Sequence, residues 1–124
     1  MGNAYIIVDG SRYDLLLSNR ATKEISERYG GLEKLGEKLM RADSFEMALD
    51  EICWLVALLA NQAIKAHNLR TPDQKKTMLD IEELEILTTP GELMSFQGAI
   101  AEALTDGMRR EIMSADDGKK KAED

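Results

Sequence analysis

The stretch Ile52-Cys53-Trp54-Leu55-Val56-Ala57-Leu58-Leu59-Ala60 decides how this chain folds. Read at helical spacing, Phe45, Leu49, Ile52, Val56, Leu59 and Ala63 form one stripe. Trp54 with Leu58, and Cys53 with Ala57, Ala60 and Ile64, form two more. A helix apolar around most of its circumference has to be covered from several sides. The run is shorter than the ~20 residues that span a bilayer, and Asp50 and Glu51 stand directly before it. The pattern therefore predicts a buried central helix over about 44–67, with Ser44 as N-cap. Acidic Glu46, Asp50 and Glu51 lie toward its positive end, and Lys65 and His67 toward its negative end.

Working outward, Tyr5-Ile6-Ile7-Val8 and Arg12-Tyr13-Asp14-Leu15-Leu16-Leu17 flank Asp9-Gly10, a strong signal for a β-hairpin over 4–17. A lone hairpin is marginal in water, so it must pack on helices or pair with another chain. Ser18-Asn19 caps a helix over 19–29 with Ala21, Ile25 and Tyr29 on one face, and Gly30-Gly31 ends it. Leu32, Leu35, Leu39 and Met40 mark a second helix over 32–40.

Beyond His67 the chain turns polar through Lys76, with Pro72 inside, and reads as a loop. Met78, Ile81, Leu84 and Leu87 then form the inward stripe of a helix over 78–87, whose other face carries Asp80, Glu82, Glu83 and Glu85. Thr89-Pro90-Gly91-Glu92 spells a capping box with proline at the first helical position. It opens a helix over 90–113 that turns Leu93, Phe96, Ile100, Ala103, Leu104 and Met108 inward. Residues 114–124 carry almost no apolar side chains and are expected to form a disordered charged tail. The fold expected is mainly α: one domain over 1–113, an N-terminal β-hairpin followed by a compact helical bundle.

Composition excludes more than it assigns. A chain of 124 residues with a net charge of −7 has no clustered basic face outside Lys119-Lys120-Lys121, which argues against a nucleic-acid partner. One cysteine rules out an intrachain disulfide framework and fits a reducing compartment. With no secretory signal at Met1-Gly2-Asn3-Ala4 and no membrane span, the expected location is the cytoplasm.

Chemistry is scarce. Cys53 sits among apolar residues without a neighbouring cation and reads as a packed thiol. His67 is the only histidine, and no nucleophile is marked beside it. One His and one Cys do not make a zinc site, and the acidic stretches lack the grammar of a calcium loop. No enzymatic activity, metal or cofactor is expected. Binding is the remaining option. The acidic face Asp80, Glu82, Glu83 and Glu85 reads either as a solvated surface or as a dock for a basic partner. Met40, Met47, Met78, Met94, Met108 and Met113 either fill the core or adapt to a partner helix. Trp54 and Leu58 anchor core or interface. The expected partner-binding set is therefore Trp54, Leu58, Met78, Asp80, Glu82, Glu83 and Glu85.

In order along the chain stand Tyr5-Ile6-Ile7-Val8-Asp9-Gly10, then Asn19-Arg20-Ala21-Thr22-Lys23-Glu24-Ile25 with Tyr29-Gly30-Gly31-Leu32. The helix Ile52–Ala60 ending near Asn61-Gln62 follows, then Leu87-Thr88-Thr89-Pro90-Gly91-Glu92-Leu93. This order resembles the tail assembly chaperones of long-tailed bacteriophages and related prophages, over most of residues 4–113. The resemblance implies a small, helical, non-enzymatic protein that is absent from the finished virion. Its implied partner is the long, helical tape measure protein, kept soluble while tail tube subunits polymerise around it, with the tube protein as a further partner. It also implies a longer form made by ribosomal frameshifting, for which Gly118-Lys119-Lys120-Lys121 is the candidate site; a solubilising charged tail is the alternative reading of those residues. The competing class is a cytosolic helical adaptor that homo-oligomerises through the hairpin edge or an exposed helix face.

Overall fold

A computed structural model of the chain describes the backbone of residues 4–40 and 49–123 and the side chains of residues 4–38 and 49–108. The expected Ser44 cap, Phe45 and the side chains of Leu39, Met40, Met47 and Met113 lie outside that range. Seven elements follow in order: β1 (Tyr5–Val8), β2 (Ser11–Asp14), α1 (Asn19–Tyr29), α2 (Leu32–Met40), α3 (Leu49–Arg70), α4 (Ile81–Leu87) and α5 (Pro90–Glu123). A single 3-10 turn, Pro72–Gln74, follows α3. The protein is thus mainly helical, with an N-terminal hairpin leading into five helices.

The hairpin forms because Asp9 (φ 50°) and Gly10 (φ 82°) both take positive φ, the two-residue turn whose twist matches paired strands. Tyr5 faces Asp14 and Val8 faces Ser11. Strand alternation buries Ile6 and Val8 and turns Tyr5 and Ile7 outward. Pairing ends sooner than the 4–17 expected. After Leu15, whose N–H donates to the Ala4 carbonyl, the Leu16 N–H donates to Leu59 of α3 instead. The hairpin is thereby tied to the central helix.

Ser18 joins two helices. Its hydroxyl accepts the Ala21 N–H at 3.0 Å, capping α1, and donates to Oε1 of buried Gln62 on α3. At the other end of α1 the Gly30 N–H returns to the Ser26 carbonyl.

α3 is 22 residues, about 33 Å, and most of its circumference is sealed. Ile52, Leu55, Val56, Leu59 and Ala60 are fully buried. Burial of each large aliphatic chain among them contributes about 1.5–3 kcal/mol. Two details differ from expectation. Leu49, in the first turn, is exposed, and the helix runs to Arg70, past His67. It stops there because Pro72 biases Thr71 out of helical backbone.

The segment after the turn is fastened to α3 by two asparagines. Asn68 donates to the Lys76 carbonyl and accepts its N–H (3.1 and 2.8 Å), and Asn61 does the same for Leu79 (2.9 and 2.7 Å). The spacing explains the fit. Seven helical residues rise about 10.5 Å and three extended residues about 10 Å, so both amides meet their partners in register.

α4 corrects the expected helix 78–87. It begins at Ile81, with Asp80 as N-cap accepting the Glu83 N–H. The residues before it are extended, so Leu79 is buried while Met78 is not. Only Leu84 of the expected stripe is sealed; Met78, Ile81 and Leu87 are exposed.

α5 opens with the expected box. The Thr89 N–H donates to the Glu92 carboxylate, and the Glu92 N–H to the Thr89 hydroxyl. Leu93, Phe96, Ile100, Ala103 and Leu104 face inward, whereas Met108 is half exposed. Next on that stripe is Gly107, where a Cβ would lie 2.7 Å from the side chain of Leu17; the missing side chain lets the hairpin exit pack against the helix. α5 continues helical to Glu123, through the segment expected to be a disordered tail from 114. Ala, Lys and Glu in that segment favour helix, and it holds no proline. One buried cluster joins residues of the hairpin and all five helices.

Candidate partner-binding surface

Trp54 and Leu58 are half-buried and pack against the core. Trp54 is covered by α1: the Arg28 guanidinium lies 4.4 Å from its ring centroid, and the Tyr29 ring is tilted against it at 6.5 Å. Arg28 serves here as a lid, its planar cation stacked on the indole face. Tyr29 is fixed in turn. Its hydroxyl donates to Glu51 Oε1 at 3.0 Å, and Lys38 of α2 reaches the same oxygen at 2.9 Å. Burial first, then the hydrogen bond to Glu51 and its charge, push the Tyr29 phenol up to about 12. This cluster staples α1 and α2 to α3, and Trp54 belongs to it.

Met78, Asp80, Glu82, Glu83 and Glu85 are all exposed. Asp80 has a structural duty as the α4 cap, while the three glutamates form an open acidic face. The two predicted groups adjoin at one point. Trp54, Leu58 and Asn61 share a helical face by their spacing, and Asn61 holds Leu79, between Met78 and Asp80.

Sequence reasoning placed Ile81 and Leu87 inside and did not mark Ile86. Ile86 is 72% exposed, and Ile81 and Leu87 are 41% and 45% exposed. Three bulky aliphatic side chains on one two-turn helix, interleaved with Glu82, Glu83 and Glu85, make α4 an amphiphilic ridge. The available signal was its length. A helix that starts at the Asp80 cap and ends before Thr88 has too few turns to bury a full stripe.

The two chemically active side chains are engaged structurally. Cys53 is buried, and burial, helped by the charges of Glu85 and Asp50, pushes its thiol pKa up, away from a reactive thiolate. The His67 ring Nε2–H donates to the Gln74 carbonyl at 2.8 Å, tying the 3-10 turn to α3. Among the described residues no three His, Cys, Asp or Glu side chains gather in a metal-binding group, and no helix is long and apolar enough to cross a membrane.

Comparison with protein-family models, curated proteins and solved structures finds no match to this chain.

Proposed function

We propose that this protein is a non-enzymatic tail assembly chaperone of a long-tailed phage or prophage, acting in the host cytoplasm on the tape measure protein. The reading draws on the order of segments from Tyr5 to Leu93 described above. The observation that carries it is the α4 ridge, where exposed Ile81, Ile86 and Leu87 alternate with Glu82, Glu83 and Glu85. Such a ridge suits a long amphipathic helix, burying its apolar stripe while carboxylates meet its lysines and arginines. Trp54 and Leu58 then act mainly by holding the bundle that presents α4.

Co-expression with the tape measure protein encoded beside this gene tests the proposal. The soluble yield of tape measure protein should rise, the two should co-purify, and Ile86→Asp should abolish both effects. Neighbouring genes without tail tube or tape measure products, or a tape measure protein whose solubility does not change, would overturn it. A slippery heptamer over the Gly118–Lys121 codons with an overlapping downstream frame would support the longer form.

A second reading, a cytosolic adaptor that self-associates, is favoured by Tyr5 and Ile7, each 47% exposed on the outer hairpin face. Sedimentation over a wide concentration range, with Ile7→Ser as control, separates the two.

A further inference from the structure

Beside the hairpin opens a cleft of about 560 Å³. It runs along all of β2 and its continuation to Leu17, whereas on the β1 side Ala4 alone lines it. The opposite wall is the last part of α3, from Ala63 to Arg70, continuing into Thr71, Lys76 and Thr77.

The direction of the β2 main chain follows from alternation. The Leu15 N–H donates to the carbonyl of Ala4, directly before β1, so by the register Ser11 and Tyr13 also face β1. Arg12 and Asp14 therefore turn their N–H and C=O groups to the opposite edge. Leu16, next in that series, donates its N–H to Leu59 of α3, which fixes the edge as the one facing α3 and the cleft. Among the described residues no backbone hydrogen bond reaches Arg12 or Asp14 from that side. An open strand edge thus borders a cavity large enough for a short segment of chain.

Charge indicates what would fit. Arg12 is already held by Asp14 at 3.0 Å and lies over the Tyr5 ring. Arg70 and Lys76 line the cleft and make no ion pair among the described residues. The Lys76 main chain is clamped by Asn68. The remaining acidic lining group, Asp106, has its Oδ2 buried and without a hydrogen-bond partner. With Arg12 offset by Asp14, the cations Arg70 and Lys76 outweigh Asp106 by one charge, on a chain whose net charge is −7.

We infer that the cleft takes an extended acidic segment of another protein as a third strand on β2, its main chain pairing with Arg12 and Asp14 and its carboxylates meeting Arg70 and Lys76. Main-chain bonds supply affinity in such strand addition, and the side chains supply selection. A second copy of this chain fits poorly, because its own β2 edge comes with an α3 standing against it. The inference does not rest on the tail-chaperone reading.

The test titrates the isotope-labelled full chain with an acetylated, amidated peptide, Thr-Val-Glu-Val-Glu-Val-Thr, observed by amide NMR. Two control peptides accompany it: one N-methylated along either edge, and one with Lys in place of Glu. Saturable shifts and slowed exchange are expected at the Arg12 and Asp14 amides. A loss of at least about tenfold in affinity is expected for both control peptides and for Arg70→Glu combined with Lys76→Glu. Both residues are exposed, so that variant should keep its fold. Absence of saturable shifts at millimolar peptide, or affinity indifferent to N-methylation, would overturn the inference. So would protection of the same amides in a concentration-dependent dimer without peptide.

Discussion

α3 and α4 are both rich in leucine and isoleucine, yet α3 seals Ile52, Leu55, Val56 and Leu59 completely, whereas α4 leaves Ile81, Ile86 and Leu87 exposed. The difference lies in the number of neighbours. α3 is long enough to be met by the hairpin, α1, α4 and α5 at once. α4 has two turns, packs mainly on α3, and is anchored by Leu84 alone. Apolar content sets what a helix can bury; the elements around it set what it does bury.

Four measurements break or sharpen this contrast. Leu55→Ala in the sealed helix should lower unfolding stability by about 2–5 kcal/mol in urea titration, the cost of a core cavity. A value below about 1 kcal/mol would mean α3 is less closely covered than described. Asn61→Ala should cost about 1–3 kcal/mol by leaving the Leu79 backbone groups without partners. In hydrogen exchange the loss should concentrate in residues 79–87. Uniform loss over the whole chain would show that α4 is not a separately fastened unit.

Tyr29 probes the staple that covers Trp54. The unfolded chain releases a tyrosine proton near pH 10, and the folded chain holds that of Tyr29 to about 12. The folded state therefore binds more protons in that window. Stability that is complete below about pH 10 should fall as pH rises toward 12, and Tyr29→Phe should flatten that slope. Smallest in stability is Ile86→Ser on the open ridge, expected within about 0.5 kcal/mol of the parent while partner capture is lost. A large stability loss there would place Ile86 in a contact within the fold.

Much of the architecture was readable in the residue pattern. Asp9-Gly10, Ser18, Gly30 and the Thr89–Glu92 box act through neighbours a few residues away, so local geometry governs them. The period of Ile52–Ala60 announced burial on several sides for the same reason. The candidate surface was only half legible. Glu82, Glu83 and Glu85 are open as read, but Trp54 is roofed by Arg28, a residue whose sequence position gives no hint of that contact. Met78 fitted a helical stripe that the backbone does not follow, because the chain is not helical before Ile81, and Ile81 and Leu87 lie on a helix whose two turns bury only Leu84.

The sequence by itself determined the hairpin turn, the Ser18, Gly30 and Thr89–Glu92 caps and the identity of the central helix, since these depend on periodicity and short-range hydrogen bonding. Tertiary structure alone decided that Asn61 and Asn68 clasp the chain after α3, that Leu17 needs Gly107, and that α4 stands proud with Ile86 outermost. It also left the edge of β2 facing a cleft. Each of these depends on which surfaces meet across long stretches of chain, and no local pattern carries that information.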